Sequence, residues 1–297
     1  MNIPTDDHAR RVATCTDPVA LDEWYVICAL DEVAVGAVYR TRLLGDTVTY
    51  SRSPDGAPTI WRGATAEGPT LTHRVKFGYL WTTLGSPAHE IFDIAECNET
   101  DRRLLNGGSI LVATSAPRAV ENFLDMGHFP YVHTGILGAE PRTEVVDYDV
   151  ETTPDQVLAT RCMFYQPQAA ASSTEGQMSE YIYRVPHPYC VMLYKSNPDD
   201  PSRMDVIALF NQPMTEESIR AHNFLCLIDD VTPDAAIRRF QQMIFGQDKP
   251  ILENQFPRRL PLDPRAETPI RADKAAIAYR RWLTAKGLTY AVIPAAE

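Results

Sequence analysis

Short apolar runs, each ended by turn residues, dominate the first third of the chain. The runs are rich in Val, Tyr, Trp and Leu, and most stop at Gly, Pro, Ser or Asp, a pattern typical of antiparallel strands. The pattern predicts strands at residues 24–28, 38–44, 48–50 and 77–85. Ser86-Pro87 then interrupts it. We therefore expect a small antiparallel β domain over residues 1–85.

The following residues, 86–297, change between helical and strand-like periodicity. Apolar residues recur at helical spacing over 116–126, 234–254 and 272–286, and Gly287 ends the last of these segments. Between the first two helices the pattern is β-like at residues 145–150, 157–165, 178–185, 190–194, 204–211 and 222–229. An antiparallel sheet that packs against a long C-terminal helix is an α+β domain of the helix-grip (START-like) kind.

Composition and charge narrow the classes of function. The chain has 297 residues, 44% hydrophobic and 23% charged, so it can bury a full core. A formal net charge of −11 argues against nucleic acid or an anionic membrane as the main partner, because either would need a basic surface. No run of about 18 apolar residues occurs. The six cysteines show no Cys-x-x-Cys spacing, so we expect free thiols and a cytoplasmic location.

Residues 121–138 contain Asn122, Asp125, His128 and His133, a candidate metal site. Two neutral imidazoles and one carboxylate, with open coordination positions, form the ligand set that holds Fe(II) for oxygen chemistry. The two histidines are five residues apart, which is about 140° on a regular helix. A regular helix could not direct both to one metal. Pro130 lies between them and disfavours a regular turn, so we expect a break or bulge there.

Asp125 and Asn122 have supporting roles in this interpretation. Asp125 precedes His128 by three residues, so its carboxylate could bond the ring nitrogen that is not on the metal and fix the tautomer. Asn122, one turn earlier, could bond within the pocket or cap backbone groups. The alternative is that both imidazoles simply bond to backbone carbonyls. Four such residues at these offsets, in a chain with seven histidines, favour the metal.

The carboxylate ligand must come from elsewhere, and the helix predicted over 234–254 is the expected source. Asp248 lies in a mostly uncharged stretch, where burying an unpaired carboxylate would be costly without a cation. Glu253 is the second candidate, although a solvated helix residue is its simpler interpretation. Lys249 could instead neutralise Asp248 as a plain ion pair.

The pattern Asn-x-x-Asp-x-x-His-x-x-x-x-His, followed much later by Asp, resembles that of the catalytic α subunits of Rieske non-haem iron oxygenases. It is most similar to the branch that demethylates N-methyl and O-methyl compounds. The resemblance extends to residues 17–21, 41–45 and 279–283, and covers most of the chain. It implies a mononuclear Fe(II) held by His128, His133 and Asp248, with O₂ as oxidant. It also implies that Asp125 receives electrons and that Asn122 shapes the site.

The chain departs from that family in its first 85 residues. Family members carry a Cys-x-His and a Cys-x-x-His that bind a [2Fe–2S] cluster, and neither pair occurs in this sequence. His73 has no cysteine partner, so we interpret it as an ordinary surface histidine. The resemblance then implies that NAD(P)H-derived electrons arrive from a Rieske-bearing reductase or a companion oxygenase subunit in a hetero-oligomer. This arrangement is similar to that of methylxanthine N7-demethylase subunits.

The resemblance implies an Fe(II)-dependent monooxygenase component that hydroxylates an N-methyl group of a small, methylxanthine-like heteroaromatic compound, with release of formaldehyde. The alternatives are a catalytically silent structural subunit, an O-demethylase of aromatic methyl ethers, and a metal-free pocket protein. Substrate would lie between the long helix and the sheet. Apolar residues that could line this cleft, or could equally be plain core, are Phe164, Met178, Met192, Phe210 and Phe224.

Overall fold

A computed structural model describes residues 14–173, 175–198 and 200–295. Within these ranges the helices are α1 (Pro18–Leu21), α2 (Ala116–Leu124), α3 (Phe129–Val132), α4 (Asp234–Asn254) and α5 (Lys274–Lys286). The strands of the first part are β1 (Tyr25–Ala29), β2 (Val38–Leu43), β3 (Asp46–Arg52), β4 (Pro58–Arg62), β5 (His73–Lys76) and β6 (Tyr79–Thr82). Those that follow are β7 (Arg103–Val112), β8 (Asp149–Thr152), β9 (Val157–Gln166), β10 (Gln177–His187), β11 (Cys190–Ser196), β12 (Met204–Thr215), β13 (Ser218–Leu227), β14 (Leu260–Pro261) and β15 (Val292–Ile293).

Seven strands form one antiparallel sheet in the order β7-β13-β12-β11-β10-β9-β8. Helix α4 lies against this sheet, where Ile237 packs with Leu105, Leu225 and Leu227. These observations confirm the predicted α+β class, in which a long helix covers an antiparallel sheet.

The two C-terminal helices follow the sequence pattern closely. Helix α4 occupies the predicted residues, and α5 ends at Gly287, whose φ of +72° lies in the left-handed region that glycine favours. Helix α5 contacts β8 and β9 at the other end of the seven-stranded sheet. No helix in the described ranges is both long and apolar enough to span a bilayer.

Strand β7 is an element that the sequence pattern did not predict. It contains Asn106, Gly107 and Gly108, which are poor strand formers. Gly108 has a φ of +93°, and its amide donates to the Asn106 side chain at 2.9 Å. The pairing of β7 with β13 shifts register at this point. The resulting bulge removes the apolar alternation that identifies a strand.

The chain before Ser86 forms two three-stranded sheets, β1-β6-β5 and β2-β3-β4. Tyr79 and Trp81 of β6 pack against Phe210 and Phe224 of the seven-stranded sheet, in a core separate from the one that contains Ile237. The seven-stranded sheet is therefore covered on both faces. A domain boundary near residue 85 stays a prediction, because side chains from both parts share this core.

A buried ion-pair network joins α2 to α5. The fully buried Arg118 donates to Glu121 at 3.0 Å, to Glu267 at 2.6 Å and to the Pro257 carbonyl at 3.0 Å. Arg280 of α5 pairs with the same two glutamates. The network therefore fixes the helix that carries Asn122, because a buried charge must keep its partners.

Replacing Arg118 with alanine should destabilise the protein strongly. The change leaves Glu121, whose side chain is only 12% exposed, with one cation fewer, so we expect the free energy of unfolding in urea to fall by about 3–5 kcal/mol. The matched control is Arg265→Ala, because the Arg265 side chain is 88% exposed and pairs only with Asp263 among the described residues. A loss for Arg118→Ala no larger than that of the control would contradict a stabilising role for the network.

Candidate metal centre

The segment that follows α2 places the two histidines on either side of a single helical turn. Helix α2 begins after the Ser115 cap and ends at Leu124, and Asp125 has extended backbone angles. The helix predicted over 116–126 thus ends two residues early, so that it carries Asn122 but not Asp125. Pro130 opens the short helix α3 rather than breaking a longer one. The break comes earlier, where the Asp125 carboxylate accepts the Gly127 amide at 2.7 Å.

The structure brings His128, His133 and Asp248 together. The two Nε2 atoms are 3.1 Å apart, and Asp248 Oδ1 lies 3.4 Å from His128 Nε2 and 3.1 Å from His133 Nε2. One ligand atom from each residue lies within 4.8 Å of the others. Asp248 is 7% exposed and His133 is 1% exposed, so this carboxylate and this imidazole are shielded from water. The three donors thus converge on one point.

Hydrogen bonds to Nδ1 of each imidazole determine whether its Nε2 can bind a metal. His128 Nδ1 lies 3.1 Å from Asp125 Oδ2, and His133 Nδ1 lies 2.9 Å from Gln247 Oε1. Both acceptors require N–H at Nδ1, so each neutral ring presents a lone pair at Nε2. Two lone pairs at 3.1 Å beside a carboxylate repel one another unless a cation lies between them. The donor set therefore fits a divalent metal of the iron type.

The pKa values of the same groups show how strongly the centre attracts positive charge. Burial lowers the pKa of His128, but the hydrogen bonds that the Asp125 and Asp248 carboxylates accept from it outweigh burial and raise the pKa to about 9. For Asp248, burial raises the pKa, and the two imidazoles outweigh it and lower the pKa to about 2. Both shifts favour a cation among these three side chains.

The other candidates for the carboxylate ligand lie elsewhere. Glu253 accepts the Ala113 amide at 3.0 Å and the Lys249 ammonium at 2.7 Å. Lys249 therefore pairs with Glu253 and does not neutralise Asp248. The polar neighbour of Asp248 is instead Asn122, whose Nδ2 donates to Oδ1 at 3.1 Å. Asn122 thus helps to fix the Asp248 carboxylate. Of the two roles left open by the sequence, this is a hydrogen bond within the pocket and not the capping of backbone groups.

Gln247 is a site residue that sequence reasoning missed. It precedes Asp248 on α4, in the turn where Pro250 supplies no N–H to the Gly246 carbonyl. The one signal in the sequence was its position beside the predicted ligand. Because Gln247 Oε1 accepts from His133 Nδ1, Gln247 orients the imidazole and is not itself one of the three candidate metal ligands.

Replacing Gln247 with leucine should weaken metal binding by about 10- to 100-fold, as expected for the loss of an acceptor that orients a ligand. Competition with a chelator measures the Fe(II) dissociation constant. Gln247→Glu keeps an acceptor and should bind Fe(II) more tightly than Gln247→Leu. Gln242→Leu, on the same helix, controls for helix stability. Equal Fe(II) affinity in Gln247→Leu and the unmodified chain would rule out the positioning role.

A cavity of about 120 Å³ lies beside the three side chains, between α4 and the seven-stranded sheet. Most of its lining is apolar and includes Phe129, Leu193, Ile207, Phe240 and Ile244. A small, largely apolar compound fits such a cavity.

The five residues predicted to line the substrate cleft are not among the described residues that line this cavity. Met192, Phe210 and Phe224 pack on the opposite face of the sheet, against Trp81 and its neighbours. Met178 is 53% exposed, and Phe164 is buried behind Phe129 at a ring distance of 5.4 Å. For Met192 and Phe210, alternation could not distinguish the two faces, because both faces of β11 and β12 are apolar.

A long helix on an antiparallel sheet, with two imidazoles and one carboxylate beside an apolar cavity, defines the catalytic domain of a mononuclear metal oxygenase. Residues 112–287 match the family model of the vanillate O-demethylase oxygenase C-terminal domain. The chain belongs to this family, the catalytic domains of Rieske oxygenases, and the family implies a non-haem iron centre.

Individual relatives agree with this assignment. The chain is 46% identical over 272 residues to the probable methylxanthine N7-demethylase NdmC of Pseudomonas sp. (strain TJI-51), covering 91% of this chain and 95% of NdmC. It is 26% identical to the methylxanthine N1-demethylase NdmA of Pseudomonas putida, over 70% of this chain and 58% of NdmA. The structure of NdmA with caffeine shares the fold, with a TM-score of 0.70, 17% identity and coverage of 88% and 89% of the two chains. Dicamba monooxygenase bound to dicamba shares it with a TM-score of 0.71, 16% identity and coverage of 92% and 98%.

Proposed function

We propose that this chain is the iron-bearing component of an N-demethylase that acts on methylxanthines. The observation that carries the proposal is the convergence of His128, His133 and Asp248, with both imidazoles oriented from behind, beside an apolar cavity. The 46% identity to a probable methylxanthine N7-demethylase supports the substrate class. A catalytically silent subunit is disfavoured, since a purely structural subunit has no physical need for this donor set.

Each polar residue of the site has a defined task in this proposal. His128, His133 and Asp248 hold Fe(II), which supplies the activation of O₂ for hydroxylation of an N-methyl group. Asp125 and Gln247 keep the two Nδ1–H groups turned away from the metal. Asn122 holds the Asp248 carboxylate. The apolar lining excludes water from the methyl group, and the hydroxymethyl product then releases formaldehyde.

Electrons reach this site from another polypeptide. The sequence contains no Cys-x-His or Cys-x-x-His pair for a [2Fe–2S] cluster, and each hydroxylation needs two electrons. The side chain of Asp125 is 32% exposed, whereas that of His128, to which it bonds, is 13% exposed. Asp125 is therefore the point where a Rieske-bearing reductase or companion subunit, supplied by NAD(P)H, would deliver electrons. The six free cysteines suit the reducing cytoplasm in which such a hetero-oligomer would work.

Formaldehyde release tests the proposal directly. The iron-loaded chain is mixed with NAD(P)H, O₂, a Rieske-bearing reductase and each of the 1-, 3- and 7-methyl xanthines. We expect formaldehyde in proportion to xanthine product, and none when a flavin-only reductase replaces the Rieske protein. Methoxybenzoates serve as the comparison for O-demethylation. Turnover with the flavin-only reductase would exclude the requirement for a Rieske-bearing partner, and turnover of methoxybenzoates alone would exclude the substrate class.

A further inference from the structure

Lys195 is a buried cation within the cavity that the mechanism above does not use. It lies on β11 in the row Tyr181–Lys195–Asp205, formed by directly paired residues of β10, β11 and β12. All three residues line the cavity that also contains His128 and Asp248. Lys195 is 6% exposed and is the one Lys or Arg among the described residues of that lining.

The ammonium group has fewer partners than its burial requires. Its Nζ donates to the carbonyl of Ala169, in the segment between β9 and β10. Asp205 is its nearest acidic neighbour in the sheet, but the Asp205 oxygens accept Asn197 Nδ2 at 2.8 Å and the Ile228 amide at 2.8 Å. Within the described part of the chain, no carboxylate lies within ion-pairing distance of Lys195. Of the three N–H donors on the ammonium, two have no described acceptor.

The pKa of Lys195 reflects this lack of hydrogen-bond and ion-pair partners. Burial lowers the pKa of Lys195 to about 7, and Asp205 offsets only part of that effect. A buried, incompletely paired cation destabilises a fold, so an acceptor that arrives with a ligand would be bound favourably.

Other lining groups share the same excess of donors. Asn223 Nδ2 and the Tyr183 hydroxyl are buried and have no hydrogen-bond partner among the described residues. Both residues line the cavity with Lys195. A cavity with apolar walls and several unpaired donors fits an apolar, planar ligand that carries acceptor oxygens. Because Asp205 also lines the cavity, a second carboxylate would be repelled, and a neutral carbonyl is favoured over an anionic ligand.

We propose that Lys195 determines substrate specificity by donating a hydrogen bond to a ring carbonyl oxygen of a neutral N-methylated heterocycle. The inference deepens the proposed function and rests on it. The bond holds the carbonyl edge of the substrate against β11, so that an N-methyl group on another edge can be turned toward His128 and Asp248. Lys195 thus binds and orients the substrate and takes no part in holding the metal.

Two variants at this position separate the hydrogen bond from the volume of the side chain. Lys195→Met keeps a similar length and removes the donor, whereas Lys195→Gln keeps a neutral N–H donor group. Equilibrium binding of a methylxanthine to the iron-loaded chain should weaken about 10- to 100-fold in Lys195→Met, as for a lost bond to a charged donor. Lys195→Gln should lose less. Lys286→Met, outside the cavity, should bind like the unmodified chain, and iron content should be equal in all four proteins.

A change in the ligand completes the test. The matching methylpurine, which lacks the ring carbonyls, should bind the unmodified chain about as weakly as methylxanthine binds Lys195→Met. Lys195→Met should not distinguish the two ligands. Methylxanthine binding within twofold of the unmodified chain in a folded, iron-loaded Lys195→Met would overturn the proposal for Lys195 and leave the proposed function standing. Absence of methylxanthine binding and turnover in the unmodified chain would instead overturn the proposed function, and this inference with it. Tight, Lys195-dependent binding of a methoxybenzoate in place of methylxanthine would overturn the choice of a neutral carbonyl.

Discussion

Replacing His128 with alanine should abolish both iron binding and demethylation. The variant leaves His133 and Asp248 with a two-donor set, and the loss of a ligand should exceed the 10- to 100-fold effect of losing an orienting partner, so we expect Fe(II) affinity to fall by more than about 100-fold. Metal analysis of the purified protein gives iron per chain, and formaldehyde release with the Rieske-bearing reductase gives turnover. Both should fall to background together.

His89→Ala is the matched control for this variant, because its ring is exposed and far from α3 in the sequence. It should retain the iron content and turnover of the unmodified chain. A His128→Ala protein that keeps near-stoichiometric iron would show that the metal is held elsewhere.

Replacing Asp125 with asparagine should separate electron delivery from iron binding. The amide oxygen can still accept from His128 Nδ1, so iron should stay bound. The substitution removes the negative charge that lies between the His128 imidazole and the protein surface. Turnover driven by the Rieske-bearing reductase should therefore fall about 100-fold, the upper limit for loss of a residue that bonds to a metal ligand. Turnover driven by hydrogen peroxide, which supplies oxygen and electrons without a reductase, should fall far less. The ratio of the two rates is the measurement.

A merely structural role for Asp125 would lower both rates equally, and that outcome would contradict its role in electron delivery. Asp147→Asn provides the comparison, since the Asp147 side chain is 84% exposed and bonds Lys274 at the surface. It should change neither rate.

The sequence predicted the parts of the structure that local rules determine. Apolar residues recur at helical spacing along α4, and the position of Asp248 in a mostly uncharged stretch made it the favoured third ligand, which the structure brings to both histidines. The contact expected between Asp125 and His128 is also present, although it forms across the turn at Gly127 and not along a helical face. These inferences needed only residue spacing and the cost of burying a charge.

Features that depend on tertiary contacts were not accessible in this way. Strand β7 was missed because Gly107 and Gly108 form a bulge that only the pairing with β13 explains. Met192, Phe210 and Phe224 were expected in the cavity but lie on the opposite face of the sheet, because both faces are covered and the sequence shows no polar face. Gln247 was missed because its partner lies 114 positions away in the chain. Lys195 was missed because its burial depends on tertiary packing around the cavity, where its ammonium meets the Ala169 carbonyl of a distant segment.

Electron transfer between two proteins tests the central claim most directly. The Rieske-bearing reductase is reduced without oxygen, and its visible cluster absorption is followed after mixing with O₂, a methylxanthine and the iron-loaded chain. We predict that reoxidation accelerates in proportion to the concentration of this chain, with two electrons consumed for each formaldehyde, and that the Asp125→Asn chain produces little acceleration. Reoxidation at the same rate with and without this chain would contradict an iron centre here that depends on a partner for its electrons.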